Sequence, residues 1–442
     1  MKINKIALVQ PNLKWVDWNF KTLWEIHPIN LCLIGAMIEK DYEVTIIDAN
    51  IDNLSQGDFQ EKISSLKPDL VGITLLTMEY GEAAHIASRL VKQANPETVT
   101  VLGGIYASQA SELAGKDVNV DYMVLGEGEH TFPKLLKYLE GKGDLPQMGI
   151  GYWKEGKRVV QGKSPFIMDL DALPFPAYHL VDYSRYAHTL QRISVDSPRE
   201  LPYARVFTSR GCGVGCTFCE IESISGAKFR HRSPKNVVAE LVFLKATYGI
   251  RSLIFDDDNF YINKNRSKAI FKGMIDAKLD LKWNAIAVPV FYLNDELLEV
   301  MRESGCHYVD MAIESGVERV LCDIVHKPVK LAHVVNMVRK AKSLGIDVNA
   351  HFILGFPGET WDEIRATVKF AENLGTDYTK FFIAQPLPGT RMYDMVMEHN
   401  ELQTGVNMKT DLDWSSSRIV SAEFTSKDLS VLRAYEWDRL NF

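Results

Sequence analysis

Three cysteines stand close together near the middle of the chain, in the stretch Arg-Gly-Cys-Gly-Val-Gly-Cys-Thr-Phe-Cys-Glu that covers residues 210–220. Cys212, Cys216 and Cys219 are separated by three and then two residues, with glycines before and between them. Glycine adopts positive φ without steric cost, so the segment can fold back and bring three thiolates together. The spacing favours an iron–sulfur cluster with one iron left open for chemistry. A zinc knuckle with His231 as a fourth ligand, and plain buried cysteines, are the alternatives.

Charged residues follow the cysteines at two places. The acidic run at 256–258 comes directly after an apolar segment and predicts either polar contacts at a strand end or a solvated loop. A basic cluster predicts either an anion site or a solvated approach to the next helix. Its members are Lys228, Arg230, His231 and Arg232.

Glycines and small polar residues follow four apolar segments in the first third of the chain, at residues 11–12, 74–77, 103–104 and 126–129. Glycine lets backbone approach a bulky ligand closely, and threonine hydroxyls can hydrogen-bond to it. Each group alone is typical of a tight turn, but four on one edge predict a ligand. No Gly-x-Gly-x-x-Gly follows the first apolar segment, which disfavours a dinucleotide.

The elements that carry these residues alternate between strand and helix patterns. Strands are predicted at residues 6–10, 43–48, 69–75, 99–102 and 122–125, with helices near 30–40, 58–66, 81–94 and 131–139. Continuous apolar strands joined by helices predict a doubly wound parallel α/β sheet. Ligands of such sheets bind at the carboxyl ends of the strands, where the glycines and threonines lie.

The remainder of the chain predicts a linker, a second α/β domain and a tail. Two short β-like pieces and two prolines make residues 141–200 an extended linker, and its aromatic stretch at 178–192 predicts a cleft lining or a surface segment. About six strand–helix units then predict a partial (β/α)6 barrel with its chemistry at the carboxyl ends of the strands. The predicted domains are 1–140, 141–200, 201–395 and 396–442. The segment 396–442 has the apolar spacing of a helix, which could cap the barrel mouth. That the sequence stops at Phe442 also fits a shortened chain.

Composition excludes several classes of protein. The 442 residues carry a net charge of −7, which disfavours general nucleic-acid binding, and no apolar run is long enough for a membrane span. Six cysteines in a chain of this length do not indicate a disulfide scaffold. Outside the triplet, Cys32, Cys306 and Cys322 are expected in the core, and the expected location is the reducing cytoplasm.

The cysteine triplet, with Phe218 before its last member, resembles the radical SAM enzymes. Stretches at 255–260, 312–316 and 352–360 support the resemblance and occur in the family's order over about 190 residues. The resemblance implies that the three cysteines bind three irons of a [4Fe–4S] cluster whose fourth iron chelates S-adenosylmethionine (SAM). It implies that Phe218 lies against adenine and that Glu314, Ser315, Asn349 and Gly355 bind SAM. It assigns no further catalytic residue.

The first domain resembles the cobalamin-binding domain that precedes many radical SAM barrels. The resemblance rests on residues 27–31, 47–49, 101–104 and 124–129. No Asp-x-His-x-x-Gly motif surrounds His27, His85 or His130, which implies base-off cobalamin without a histidine ligand to cobalt. The residues implied in cobalamin binding are Asn12, Thr74, Thr77, Gly103, Gly104, Gly126, Glu127 and Gly128.

Together the two resemblances imply a cobalamin-dependent radical SAM methyltransferase. It would methylate an unactivated carbon or phosphorus centre of a small molecule through a 5′-deoxyadenosyl radical and methylcobalamin, with flavodoxin or ferredoxin as electron donor. The alternatives are a related enzyme that performs cyclisation, rearrangement or oxidation, and a non-catalytic zinc- or corrinoid-binding protein. A methylthiotransferase is disfavoured because its second cysteine triplet and terminal RNA-binding domain are missing.

Overall fold

The computed structural model describes residues 1–16, 26–187, 200–408, 411 and 413–442. The chain forms two compact units, Met1–Thr189 and Leu190–Phe442, called here the first and second units. No helix among the described residues is long and apolar enough to cross a membrane.

The first unit is built on a seven-stranded sheet. Its strands are β1 (Lys5–Gln10), β2 (Glu43–Asp48), β3 (Leu70–Leu75), β4 (Val99–Gly103), β5 (Tyr122–Val124), β6 (Ile150–Lys154) and β7 (Lys157–Val160). They lie in the order β2-β1-β3-β4-β5-β6-β7, with the pairs among β1 to β5 parallel and the last two pairs antiparallel. The predicted doubly wound sheet is confirmed, and two strands from the predicted linker extend it.

Apolar strand residues explain why both faces of this sheet are covered. Every residue of β3 is buried. Val71 and Ile73 belong to one core and Leu70 to the other, because successive side chains point to opposite faces. The helices of this unit are α1 (Ile29–Ile38), α2 (Gln56–Leu66), α3 (Gly81–Ala94), α4 (Gly104–Gln109), α5 (Ser111–Ala114), α6 (Gly128–Leu139) and α7 (Tyr183–Ala187).

The second unit contains a six-stranded sheet and a small ribbon. Its strands are β8 (Tyr203–Val206), β9 (Ser209–Arg210), β10 (Arg230–His231), β11 (Ser252–Phe255), β12 (Lys282–Pro289), β13 (Cys306–Glu314), β14 (Asp347–Leu354) and β15 (Tyr378–Ile383). The large sheet has the order β15-β14-β13-β12-β11-β8, and all its pairs are parallel. This architecture confirms the predicted partial barrel. Strands β9 and β10 pair antiparallel with each other.

Helices connect the parallel strands of the second unit. They are α8 (Ile221–Ser225), α9 (Pro234–Tyr248), α10 (Lys264–Asp276), α11 (Asp295–Glu303), a π-helix (Val320–Ile324), α12 (Leu331–Ser343), α13 (Trp361–Leu374), α14 (Arg391–Glu398) and α15 (Ser426–Asn441). Helix α9 begins as its sequence predicts, because the Ser233 side chain accepts from the Asn236 N–H and Pro234 occupies the first turn.

The last helix lies along the edge strand β15. The Arg433 side chain donates to the Phe381 carbonyl at 2.9 Å, and the Asn441 amide donates to the Thr379 carbonyl at 2.9 Å. These bonds satisfy backbone groups that an edge strand leaves unpaired. The helix predicted in the tail is therefore confirmed.

Two sequence-based expectations about buried residues need correction. Cys32 and Cys306 are buried as predicted, but Cys322 lies in the π-helix and is exposed. The aromatic stretch at 178–192 was expected in a cleft or on the surface. Its described part instead buries Tyr178, Tyr183 and Tyr186 inside the first unit, and residues 188–192 lie outside the described residues.

Candidate active site

The three cysteines lie in a loop closed at its base by a ribbon. Strand β9 precedes the loop and β10 follows it, so their antiparallel pairing brings the two ends together. Inside the loop, the Cys212 N–H donates to the Gly226 carbonyl at 3.2 Å and the Cys219 N–H to the Cys216 carbonyl at 3.1 Å. All three cysteines are partly exposed. The loop is thus fixed by its backbone, and its three cysteines lie neither in the core nor fully at the surface.

Glycine is required where this loop begins. Gly211 has a φ of +85°, and a Cβ at this position would overlap the Lys228 carbonyl oxygen and lie 2.8 Å from the Gly226 carbonyl oxygen. Both atoms belong to backbone and cannot move away as a flexible side chain would. The return path of the loop therefore packs directly against Gly211.

The acidic run after β11 supports the same loop. Asp257 accepts from the Thr208 N–H at 2.6 Å and also from the Ser209 N–H, while Asp258 accepts from the Gly211 N–H at 2.7 Å. The solvated-loop alternative for residues 256–258 is wrong, because these carboxylates satisfy backbone donors of the segment that carries the cysteines. Burial raises the pKa of Asp257 to about 6, although the Arg266 charge and these hydrogen bonds oppose the shift.

Asn259 is a site residue that the sequence did not reveal. Its side-chain amide donates to the Cys212 sulfur, with an Nδ2–Sγ distance of 3.4 Å. Its place directly after the acidic run at a strand end was the available signal. Hydrogen bonds to cysteine sulfur tune the potential of iron–sulfur clusters, so Asn259 can act on a cluster without binding iron.

The positions of the thiols and of His231 give no support to the single-ion zinc alternative. Burial raises the pKa of Cys216 to about 12, against the opposing charge of Lys327, and that of Cys219 to about 11. Burial thus makes the thiolate form of these cysteines unfavourable, and a bound cation that replaces the thiol protons would stabilise it. In the part of the chain that the structure describes, no three His, Cys, Asp or Glu side chains are grouped to hold one metal ion, and His231 is exposed on β10. Cluster cysteines each bind a different iron and need no such close grouping.

The two arginines of the basic cluster form neither an anion site nor a solvated approach to the next helix, the two roles predicted for the cluster. Arg230 is buried and donates to the Ser225 carbonyl at 2.7 Å. Arg232 donates to the Glu240 carboxylate at 2.6 Å and to the Asn236 side chain at 2.6 Å. Both guanidinium groups are committed to holding the ribbon and helix α9 in place.

The four residues implied in SAM binding do not all lie at one edge of the sheet. Glu314, Ser315 and Gly355 end or follow β13 and β14 at their carboxyl ends, whereas Asn349 is the third residue of β14. Glu314 ends β13 with a φ of +77°, and one of its carboxylate oxygens accepts from Lys327 Nζ at 2.6 Å. The Ser315 hydroxyl is occupied by the Thr367 hydroxyl at 3.0 Å and by the Val317 N–H at 3.2 Å. Glu314 is therefore better placed for a ligand than Ser315.

Asn349 carries a vacant acceptor. Its Nδ2 donates to Asp310 at 2.7 Å, while its fully buried Oδ1 has no hydrogen-bond partner among the described residues. A buried carbonyl without a partner costs about 1–3 kcal/mol unless a ligand or water satisfies it. Asn349 lies six residues before Gly355, about 20 Å away along the strand, so its open acceptor is remote from the carboxyl edge and the SAM contact predicted for it gains no support.

Gly355 begins a turn that contacts segments distant in the sequence. It has a φ of +82°, and a Cβ there would overlap the Leu429 side chain of α15. The Glu359 carboxylate accepts from the Gly355 and Phe356 N–H groups at 2.8 and 3.0 Å. Phe218 packs against Phe356 with ring centroids 5.9 Å apart. The turn and the cysteine loop therefore meet, as the SAM prediction requires.

The residues implied in cobalamin binding lie at the carboxyl edge of the first sheet, and several are already engaged. Asn12 caps a short turn, accepting from Lys14 N and donating to the Leu54 carbonyl at 3.0 Å. The Thr74 hydroxyl accepts from the Asn30 amide at 3.3 Å. Gly104 has a φ of +83°, and a Cβ there would lie 2.6 Å from the Leu75 carbonyl oxygen.

Two polar atoms at this edge have no hydrogen-bond partner among the described residues. They are the Thr77 hydroxyl oxygen, after β3, and Gln10 Oε1, at the end of β1. Both are buried atoms that can accept a hydrogen bond. The amide side chains of a corrin ring are donors that would satisfy them. Thr77 was predicted from the sequence, whereas Gln10 was missed because it resembles an ordinary last residue of a buried strand.

Glu127, from the predicted turn at 126–128, borders a cavity of about 620 Å³ in the first unit. Gly126 has a φ of +82°, whereas a Cβ added at Gly103 or Gly128 would meet its neighbours at ordinary contact distances. The cavity is lined by residues that include Glu127, His130, Lys134, Met148, Ser164 and Phe166. Within the predicted turn, the residue that faces this cavity is therefore Glu127, and the cobalamin contacts of Gly126 and Gly128 stay a prediction.

The histidines of the first unit differ in their surroundings. His27 is buried among the rings of Tyr178, Tyr183 and Tyr186, and burial lowers its pKa to about 3. His85 lies 2.8 Å from both the Asp117 carboxylate and the Tyr106 hydroxyl. The absence of a histidine ligand to cobalt stays a prediction.

Profiles of two protein families match the chain. The radical SAM superfamily matches residues 206–371, and the B12 binding domain matches residues 21–136. The first match contains the cysteine loop and the strands with Glu314 and Asn349. The second contains most of the parallel part of the first sheet.

Individual proteins are similar over most of the chain. An uncharacterised methyltransferase from Pyrococcus horikoshii is 32% identical over 412 residues, covering 92% of this chain and 85% of the relative. Cytidylyl-2-hydroxyethylphosphonate methyltransferase from Streptomyces wedmorensis is 30% identical over 415 residues, covering 83% of this chain and 77% of the relative.

Solved structures share the fold. The radical S-adenosylmethionine methyltransferase TsrM from Kitasatospora setae superimposes with a TM-score of 0.73 at 19% identity, covering 91% of this chain and 77% of its own. The cobalamin-dependent S-adenosylmethionine radical enzyme OxsB has a TM-score of 0.69 at 16% identity, covering 100% of this chain and 62% of its own. With the two family matches and the relatives at 30% identity or more, the chain belongs to the cobalamin-dependent radical SAM methyltransferase family.

Proposed function

We propose that this enzyme transfers a methyl group to an unactivated carbon or phosphorus centre of a small molecule. As a member of the family, it uses a [4Fe–4S] cluster, SAM and cobalamin. The observation that carries the proposal is the cysteine loop, which is held by Asp257 and Asp258 and meets the Gly355 turn. A phosphorus centre is included because the Streptomyces relative is, by its name, a phosphonate methyltransferase.

We assign each group of residues one task. Cys212, Cys216 and Cys219 would hold the cluster, and Glu314 would accept a hydrogen bond from SAM. Gln10, Thr77 and the turn at 126–128 would contact cobalamin. When bound, these cofactors supply hydrogen-atom abstraction and a transferable methyl group. The chain itself supplies positioning and the electrostatic environment of the cluster, and flavodoxin or ferredoxin would deliver the electron.

Cofactor content is the first test. The protein would be purified anaerobically, reconstituted with iron, sulfide and hydroxocobalamin, and passed through gel filtration. We expect about four irons per chain, as the three-cysteine motif implies, and near-stoichiometric cobalamin with a base-off visible spectrum. A full cluster without retained cobalt would contradict the proposal.

The products of SAM distinguish methyl transfer from its closest rival. Methylation yields both S-adenosylhomocysteine and 5′-deoxyadenosine, whereas cyclisation, rearrangement or oxidation on the same two domains yields no S-adenosylhomocysteine. The rival has some support, because anaerobic magnesium-protoporphyrin IX monomethyl ester cyclase of Rubrivivax gelatinosus is 27% identical over 358 residues. Candidate substrates would be screened with methyl-labelled SAM, and label in the product supports methylation.

A further inference from the structure

Ser108 lies in α4, the short helix that follows β4 at the carboxyl edge of the first sheet. Its hydroxyl donates to the Gly104 carbonyl at 2.8 Å and accepts from the Gly126 N–H at 2.9 Å. One hydroxyl proton and two lone pairs allow both bonds at once. The first bond stays within α4, whereas the second reaches the turn that follows β5. Ser108 therefore connects the two glycine turns of this edge, at 103–104 and 126–128.

Glycines leave both turns with little to hold them in one conformation. Gly104 and Gly126 have φ values of +83° and +82°, in a region that glycine enters and leaves without steric cost. Ser164 holds the second turn through its N–H, which donates to the Leu125 carbonyl at 3.0 Å, and through its hydroxyl, which donates to the Glu127 carbonyl at 3.0 Å. The bond from the Gly126 N–H to Ser108 ties the same turn to α4.

Tyr106 anchors α4 to the rest of the first unit. Its side chain is buried, and its hydroxyl lies 2.8 Å from His85 Nε2, while His85 Nδ1 lies 2.8 Å from the Asp117 carboxylate. A Cβ at Gly81 would overlap the Tyr106 ring, so the start of α3 packs directly against it. Because α4 is anchored in this way, Ser108 can hold the Gly126 N–H at a fixed place relative to the turn at 103–104.

Ser88 shows what an ordinary helical serine does in the same unit. Its hydroxyl donates to the Ala84 carbonyl at 2.9 Å, and both ends of this bond lie within α3. A bond to the carbonyl four residues back is a common way for a helical serine to satisfy its hydroxyl. The bond that distinguishes Ser108 is the second one, which joins residues 18 positions apart.

A ligand that contacts both turns binds more tightly when their spacing is set beforehand, because binding then does not have to order them. We propose that Ser108 is a positioning residue for cobalamin, which fixes the turn at 126–128 relative to the turn at 103–104 before the cofactor binds. The inference rests on the proposed function for its ligand, but not on methyl transfer. Ser108 acts through the backbone of Gly126 and need not touch cobalamin itself.

Hydrogen exchange of the Gly126 amide tests the bridge on the protein before cofactors are added. Mass spectrometry of peptides that contain residue 126 would measure the exchange rate. We expect S108A to exchange this amide about fivefold faster than the wild type, the effect of losing one hydrogen bond, while other amides of the first unit keep their rates. Faster exchange throughout the first unit would show a general loss of stability and would overturn the inference.

Cobalamin affinity tests the consequence of the bridge. Hydroxocobalamin would be titrated into the anaerobically purified protein, with bound and free cofactor separated by equilibrium dialysis. We expect S108A to bind about fivefold more weakly, and S108T, which keeps the hydroxyl, to bind more tightly than S108A. The matched control is S88A, which removes a helical serine hydroxyl that bridges no turns and should leave both measurements unchanged. Unchanged affinity in S108A, or an equal loss in S88A, would reject the role given to Ser108.

Two further outcomes keep this test decisive. If S108A does not fold, S108C replaces it, because a thiol is only a weak donor and acceptor. Weaker cobalamin binding in S108C then supports the inference, and wild-type affinity rejects it. A wild-type protein that binds no cobalamin would contradict the proposed function, and the inference would fall with it. Wild-type binding together with full affinity in S108A rejects the inference alone.

Discussion

At the scale of single residues, Asn259 shows how a side chain can influence a cluster that it does not ligate. Its amide donates to the Cys212 sulfur at 3.4 Å. A hydrogen bond to a thiolate stabilises the extra negative charge of the reduced cluster. We therefore expect N259A to shift the cluster midpoint potential to more negative values while iron content stays the same, as measured by redox titration with paramagnetic resonance detection.

The control for this variant lies four residues away. Asn263 caps helix α10 by accepting from the Arg266 N–H, and it donates no hydrogen bond to a cysteine. N263A should lower the free energy of unfolding by about 1 kcal/mol and leave the potential unchanged. Equal potentials in N259A and wild type would refute the role given to Asn259.

Glu359 makes a second prediction at the residue scale, on pH and stability. Burial raises its pKa from 4.5 to about 7, although the Phe356 and Gly355 N–H groups favour the charged form. The folded protein therefore keeps a proton that the unfolded chain releases above pH 4.5. Stability from this group is full below that value and is lost as the pH rises through about 7.

The variant E359Q isolates this effect because it cannot release the proton. We expect the wild-type free energy of unfolding to fall by roughly 2–3 kcal/mol more than that of E359Q between pH 4.5 and 7. Denaturant titrations at several pH values measure the difference. Parallel pH profiles for the two proteins would show that Glu359 does not titrate in this range.

At the scale of elements, the β9–β10 ribbon decides whether the cysteine loop closes. Gly211→Ala places a Cβ against the Lys228 carbonyl oxygen, so the backbone of the loop must shift. We expect this variant to lose most of its iron after reconstitution. Its free energy of unfolding, measured by denaturant titration, should fall by more than about 1 kcal/mol.

Gly249→Ala is the matched variant. Gly249 has a φ of +64° at the end of α9, but a Cβ there meets nothing within 4 Å. The Gly249→Ala variant should lose only about 1–2 kcal/mol of its free energy of unfolding, from backbone strain, and should bind as much iron as the wild type. Full iron in Gly211→Ala would show that the loop tolerates the displacement.

At the scale of the whole molecule, the two compact units predict that the cofactors load separately. Each unit has its own sheet, and the first has apolar cores on both faces of its sheet. A variant with Cys212, Cys216 and Cys219 all replaced by alanine should therefore contain no cluster iron but retain cobalamin at the wild-type ratio. Iron and cobalt analysis after gel filtration measures both. Joint loss of iron and cobalt would show that cobalamin binding depends on an intact cluster loop.

Local sequence patterns predicted most elements because their causes are local. Residues 43–48 formed the predicted strand, and Ser233 with Pro234 began the predicted helix. Strands β6 and β7 were assigned to a linker, because two short polar strands carry too little periodicity to reveal that they extend a sheet. Cys322 was expected in the core, because its apolar neighbours gave no sign of the π-helix.

The sequence by itself determined the cysteine triplet, the glycine that lets its loop close, and the parallel strands of both sheets. Spacing, backbone freedom and apolar periodicity act within a few residues or repeat along the chain. Only the tertiary structure decided that Asp257 supports the cysteine loop, that Asn259 reaches Cys212, and that Lys327 pairs with Glu314. The first two contacts join residues 47 to 49 positions apart, and the third depends on a π-helix between the partners. Such contacts arise when parallel strands bring their carboxyl ends to one edge, a placement that no local pattern encodes.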